Sequence, residues 1–199
     1  MERKRRLTRE EAKAETRRAL LDAAAEVFAE HGFHGASIDT VAEAAGYTKG
    51  AVYSQFSNKD DLYLALLDEH LSAEGPQAIA QLESGAPIES FAGEIEASLP
   101  EELEKMRDWG RLTYEFILHA LRSETVRSRL AERFVRARDE YAACLEKRYT
   151  AIGKAPPIEL SKLATALMAL ENGMSMIGLV NPELITGGVY TETLERLLD

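Results

Sequence analysis

The sequence predicts an all-α protein, and three observations carry that expectation. Apolar residues recur at helical rather than alternating intervals, runs rich in β-branched residues are absent, and Gly and Pro gather where helices should stop. A small N-terminal helical domain followed by a larger helical one is the expected architecture.

Thr8-Arg9-Glu10-Glu11 has the spacing of a capping box, and Leu20, Ala24, Val27 and Phe28 then recur at helical spacing up to His31-Gly32. This predicts a first helix over about 9–30. Ser37 offers an N-cap for a short helix ending at Ala45-Gly46, and a second short helix should run from Thr48 to about Ser54. Asn58 caps a longer helix through Leu62, Leu66 and Leu67 to about Ser72. Breaks follow at Gly75-Pro76 and Gly85-Ala86-Pro87. Further helices are expected over 87–99, 101–122, 124–152, 158–180 and 190–198, stopped by Pro100, Gly153, Pro156-Pro157 and Pro182.

The 199 residues carry 45% hydrophobic side chains, enough for a packed core, and a net charge of −10. The charge is uneven. Residues 1–62 hold 10 Lys/Arg against 11 Asp/Glu, whereas residues 63–199 hold 14 against 23. The acid therefore belongs mainly to the second part, and the total does not exclude a nucleic-acid partner for the first. Arg3, Lys4, Arg5, Arg6 and Arg9 make a basic arm. It is either a solvated tail or a segment attracted to phosphates or the minor groove. The lone Cys144 cannot pair internally, Met1-Glu2-Arg3-Lys4-Arg5-Arg6 lacks the apolar stretch expected of a signal peptide, and no run of about 18 apolar residues suggests a membrane partner. A cytoplasmic location is expected.

The segment from Ser37 to Phe56 carries the functional signal. Two short helices crossing steeply need a small residue at their closest approach, which Ala42 supplies, and a residue tolerant of positive φ in the turn, which Gly46 supplies. Val52 then points back onto Val41 and Ala42, so Ile38, Val41, Ala45, Val52 and Phe56 should form the seam against the first helix. This is a helix-turn-helix pattern. Its context includes Phe28-Ala29-Glu30-His31-Gly32-Phe33, Val41-Ala42-Glu43-Ala44-Ala45-Gly46, Lys49-Gly50-Ala51-Val52-Tyr53 and Phe56-Ser57-Asn58-Lys59. Through these pieces residues 16–68 resemble the TetR/AcrR family of one-component transcriptional regulators. Tyr47 stands where that family more often has an aliphatic residue.

The residues then divide into 1–15 (basic arm and start of the first helix), 16–62 (DNA-binding domain) and 63–199 (regulatory and dimerisation domain). The second short helix should meet the major groove with its N-terminal end. Thr48 is placed to offer hydroxyl and backbone N–H to phosphate, Lys49 to reach a guanine edge, Gly50 to allow close backbone approach, and Ala51 to touch a thymine methyl. The resemblance implies phosphate contacts from Tyr53, Lys59 and Ser37, and a further contact from Gln55, to backbone or base.

In the second part, 124–152 presents Val126, Leu130, Phe134, Tyr141, Leu145 and Tyr149, and 158–180 is apolar on more than one face through Leu163, Leu167, Leu170, Met174 and Ile177. By the resemblance, two such helices from each protomer build a four-helix homodimer interface. Phe91, Met106, Trp109, Tyr114, His119, Met168, Asn172 and Met176 have the composition of a small-molecule effector pocket, and equally of an ordinary core. Arg111, Arg122, Arg133, Arg136 and Arg138 fit a solvated face or an anionic ligand. The four histidines are scattered and there is no nucleophile elbow, phosphate loop or dinucleotide fingerprint, so neither a metal, a cofactor nor catalysis is expected.

The reading is a dimeric repressor on a near-palindromic double-stranded operator, with half-sites about one helical turn apart or slightly more, released when an effector moves the connecting helix at about 58–72. An activator or architectural DNA binder without a ligand is the alternative. An all-helical enzyme or carrier is more remote.

Overall fold

The computed structural model describes residues 8–73, 76–88, 107, 109–185 and 188–198, and every described element is helical. The chain divides into two compact units, Met1–Ser72 and Ala73–Asp199. The division falls at the end of a helix, whereas the change at 62/63 expected above lies inside it.

Among its described residues the first unit holds four helices. α1 (Arg9–Gly35) opens with the expected capping box: the Glu11 amide donates to Thr8 Oγ1 at 3.1 Å and the Thr8 amide to Glu11 Oε2 at 2.8 Å. The regular helix breaks at Gly32, at φ 69° and ψ 173°, and one further turn follows. α2 (Ile38–Ala44) is capped by Ser37, whose Oγ accepts from the Thr40 amide at 3.1 Å. The turn is closed by the Tyr47 amide on the Ala42 carbonyl at 2.9 Å, with Gly46 at φ 70°, as the turn requires. α3 (Lys49–Gln55) is capped by Thr48, and α4 (Lys59–Ala73) by Asn58, whose Oδ1 accepts from the Asp61 amide at 2.8 Å. Each cap satisfies amides that the first helical turn leaves without intrahelical partners.

Leu20, Ala24, Val27 and Phe28 of α1 are buried with Val41, Val52, Phe56, Leu62 and Tyr63. At the centre Phe28 stacks on Phe33 at 6.0 Å, and Tyr63 meets both rings edge-on at 5.6 Å. Of the predicted seam only Ala45 is less than fully buried.

The second unit contains α5 (Pro76–Glu83), α6 (109–120), α7 (Glu124–Ile152), α8 (Leu160–Val180), a single 3-10 turn (Pro182–Leu184) and α9 (Val189–Leu198). α5 occupies a stretch read above only as an interruption; Pro76 starts it, a position where the missing N–H is harmless. The helix expected over 87–99 lies almost wholly outside the described residues, as does the first part of 101–122. Leu82, Ile88, Leu145, Tyr149, Leu163, Leu167 and Leu194 form the core, and the Tyr149 hydroxyl donates to the Leu198 carbonyl at 2.8 Å, fastening α7 to the end of α9. Cys144 is buried here, and burial pushes its thiol up to about 11. α8 is long and apolar enough to cross a membrane by length and composition, but Leu163, Ala164, Leu167 and Met174 are spent on this core.

An acidic group sits among these helices. Glu171 Oε1 accepts from the Tyr141 hydroxyl at 2.9 Å and the Tyr190 hydroxyl at 3.4 Å, linking α8 to α7 and α9. Burial raises its carboxyl above the usual carboxylate range, an effect partly opposed by the two hydroxyls. A group whose folded pKa is raised contributes stability at pH below its unfolded pKa, and that contribution disappears as pH rises through the folded value. Glu171→Gln keeps an acceptor for the tyrosines and cannot ionise. Its melting temperature relative to wild type is therefore expected to rise between pH 5 and pH 8; thermal melts at both pH values check this, and a difference independent of pH contradicts it.

Candidate nucleic-acid interface

The first unit presents α3 as a short rod anchored on one side only. Val52 is completely buried and Phe56 nearly so, while Thr48, Lys49, Gly50 and Tyr53 are exposed and Ala51 and Gln55 half-buried. The reason is local: in a seven-residue helix, one apolar residue four before a second gives one inward stripe and leaves the rest outside. Tyr53 is 49% exposed, large for a tyrosine with an apolar core so close. Thr48 Oγ1 accepts from the Ala51 amide at 3.2 Å, which still leaves its hydroxyl proton for another acceptor. The Lys49 and Gly50 amides lie in the first turn, where a helix supplies no acceptor. Positive backbone dipoles, hydroxyls and an ammonium thus share one exposed end.

Ser37 is exposed, with its Oγ 2.7 Å from Thr40 Oγ1 in addition to its capping bond. Lys59 lies differently from the other expected contacts. Its ammonium donates to the Phe33 carbonyl at 2.7 Å and the Ala36 carbonyl at 3.0 Å, and stands 4.6 Å from the Phe33 ring centre. Burial lowers its pKa, while Asp60 opposes that shift. Two of its three protons are therefore engaged in closing the end of α1, and one remains for a phosphate. The sequence pattern located this lysine without revealing its carbonyl partners, because they lie 26 and 23 residues away.

Lys49 also has a partner that the sequence reading overlooked. Its Nζ lies 2.8 Å and 2.9 Å from the two carboxylate oxygens of Asp39, in the first turn of α2. The hydrogen bond that Lys49 donates to Asp39 is the main cause of a raised lysine pKa, so the ammonium keeps its charge. Opposite charges at the second position of one helix and the first of the next were visible in the sequence. Only the turn through Gly46 and Tyr47 brings the two helix starts together and makes them neighbours.

The expected effector residues are more dispersed. Trp109, Tyr114 and His119 are half-buried on α6, and the Tyr114 hydroxyl donates to the Asn172 carbonyl at 3.3 Å. Met168 and Asn172 border an open groove of about 320 Å³ on α7 and α8, with Phe134, Val135, Arg138, Thr165 and Ala169, whereas Met176 is half exposed. Phe91, Met106 and the basic arm before Thr8 lie outside the described residues.

Two family models match this chain: "Bacterial regulatory proteins, tetR family" over residues 20–66, and "BetI-type transcriptional repressor, C-terminal" over residues 87–199. The second alone covers more than half of the sequence. The chain belongs to the TetR/AcrR family of transcriptional regulators.

Within this family the chain is 47% identical over 57 residues to the HTH-type transcriptional activator FasR of Mycolicibacterium smegmatis, spanning 29% of this chain and 26% of FasR. It is 41% identical over 54 residues to the HTH-type transcriptional repressor AcnR of Corynebacterium glutamicum, spanning 27% of this chain and 29% of AcnR. These matches therefore cover little more than a quarter of either relative. The crystal structure of FadR from Bacillus subtilis in complex with stearoyl-CoA superposes with a TM-score of 0.62 at 18% identity, over 92% of this chain and 97% of FadR, which is a likeness of fold.

Proposed function

We propose that this TetR/AcrR-family regulator acts as a homodimer that inserts α3 of each protomer into the major groove of a near-palindromic operator, and that a small-molecule effector bound by the second unit releases it. One observation carries the reading. The exposed end of α3 gathers Thr48, Lys49, Gly50 and Tyr53 around unpaired first-turn amides, on a helix whose opposite side is sealed by Val52. Thr48, Tyr53, Ser37 and the remaining proton of Lys59 serve phosphates, which set register and orientation. Lys49 and Gln55 serve base edges, and Ala51 a thymine methyl. With so few base-reading side chains, part of the discrimination falls to DNA shape and to half-site spacing.

The dimer reading is supported by the outward face of α7 and α8. Phe134 and Val135 are 46% and 47% exposed, and Met176 and Val180 are 50% and 84% exposed. Apolar surface of this kind beside a groove is the ordinary mark of an interface. A second copy related by a two-fold axis covers it with the same two helices. Ala169→Arg puts a long charged chain on the exposed lining of the groove, and the dimer is expected to dissociate at concentrations about tenfold or more above those for wild type, since burying an unpaired charge is strongly unfavourable. Sedimentation velocity across a dilution series checks this, and an unchanged dimer would remove α7 and α8 from the interface.

The effector reading is supported by the aromatic and methionine content of the second unit and by FadR, a relative in fold that was crystallised with stearoyl-CoA. A coupling of about 1–3 kcal/mol between effector and DNA changes operator occupancy strongly. The activator reading has support of its own, since FasR is named an activator. The head binds DNA in the same way in either case, and the sign is set by where the operator lies relative to the promoter. Selection from a randomised duplex pool tests the core of the proposal. An inverted repeat bound by two protomers is the expected product, and failure to enrich any duplex would refute it.

A further inference from the structure

We infer that Asp39 is a specificity-determining residue of the DNA-reading head, acting as the fixed carboxylate partner of Lys49. This rests on the proposed insertion of α3 into the major groove. Both Asp39 oxygens lie within 2.9 Å of the Lys49 ammonium, and the two side chains are 66% and 52% exposed. The pair therefore stands on the surface between the first turns of α2 and α3, beside Ser37 and Thr48.

A lysine alone is a poor discriminator. Its ammonium is a compact charge with three donors on a flexible stem, and any phosphate satisfies it. Such an exposed pair holds together only weakly in water. Docking on a duplex changes the balance, because water leaves and a carboxylate stripped of its partner becomes strongly unfavourable. Asp39 then keeps part of the ammonium's donor capacity and fixes where the rest points, towards the acceptors of a guanine edge. The carboxylate also repels phosphates. In the major groove it accepts only from exocyclic amino groups, on cytosine or adenine. The couple thus favours an acceptor edge beside an amino group and penalises other registers.

A simpler role exists for an acid in this position, since carboxylates in a first turn suit the helix dipole. That role accounts for Asp39 but not for the approach of Lys49 across the turn, and Ser37 already caps α2. The two roles differ in what they predict.

The test uses the full chain, a duplex enriched by wild type from a randomised pool, and a scrambled duplex of equal composition, at one fixed salt concentration. Asp39→Asn is expected to melt within about 2 °C of wild type, as an exposed pair of this kind contributes little. It should bind the scrambled duplex about tenfold more tightly and the enriched one within about threefold of wild type, so that the ratio of the two falls. With each lysine freed for one phosphate, the slope of log affinity against log salt should steepen by about two per dimer. Asp39→Ser provides a second variant that keeps a hydrogen-bonding side chain in the first turn. An unchanged ratio in both variants overturns the inference, as does an equal loss on both duplexes together with a lower melting temperature. Lys49→Ala separates the levels. If it weakens binding to the enriched duplex while Asp39→Asn leaves the ratio intact, the groove reading stands and this inference falls. If wild type enriches no duplex, both fall.

Discussion

Replacing Lys49 and Tyr53 together with alanine should reduce affinity for the enriched duplex by about 100-fold or more while leaving the fold intact. A base contact of the kind assigned to Lys49 is worth about 1–3 kcal/mol, and a two-fold dimer loses it twice. The loss of the Tyr53 hydroxyl from a phosphate adds a sequence-independent share on both half-sites. Neither side chain supports the core: Lys49 is 52% exposed and Tyr53 49% exposed, and the inward residue of this helix is Val52. The melting temperature is therefore expected to move by about 2 °C or less, as for other surface changes. Fluorescence anisotropy at fixed salt, paired with a circular-dichroism melt, reads both quantities. Retained affinity in a folded double variant would show that α3 does not face the duplex.

The second large effect has the opposite signature. Phe28→Ala is expected to destabilise the first unit by about 3–5 kcal/mol, the usual loss when a buried phenylalanine is truncated. Phe28 is completely buried, stacked on Phe33 and met edge-on by Tyr63. Its removal opens a cavity where α1 and α4 meet and breaks two aromatic pairs at once. DNA affinity falls too, but only in step with the folded fraction. It should return when a tight duplex is supplied in excess, because ligand binding favours the folded state. Urea unfolding followed by a probe in the first unit measures the loss; a shift below about 1 kcal/mol would mean that the three rings do not hold this unit together.

The contrast follows from where each residue's partners lie along the chain. The capping box at Thr8, the caps at Ser37 and Asn58, and the turn at Gly46 were legible because each depends on residues three or four positions away. The inward stripe of Val41, Val52 and Phe56 was legible for the same reason, once the spacing of the two short helices was recognised. Tyr63 gave no such signal. Nothing in its neighbours distinguishes a tyrosine at the centre of an aromatic cluster from one on a surface, and its partners lie 35 and 30 residues earlier. In the second unit, periodicity placed α7, α8 and α9 to within a few residues, yet it missed α5, a helix too short to show a repeat.

By itself the sequence determined the class of the molecule and the limits of most helices, since caps, turns and helical periodicity are properties of neighbouring residues, while the family followed from the resemblance of residues 16–68. Tertiary structure alone decided which side of each helix is covered, that Lys59 closes the end of α1, that Glu171 lies beneath two tyrosine hydroxyls, and that Asp39 meets Lys49. Those pairings depend on the angle at which helices cross. That angle is set by the packing of many side chains at once, and no local run of residues encodes it.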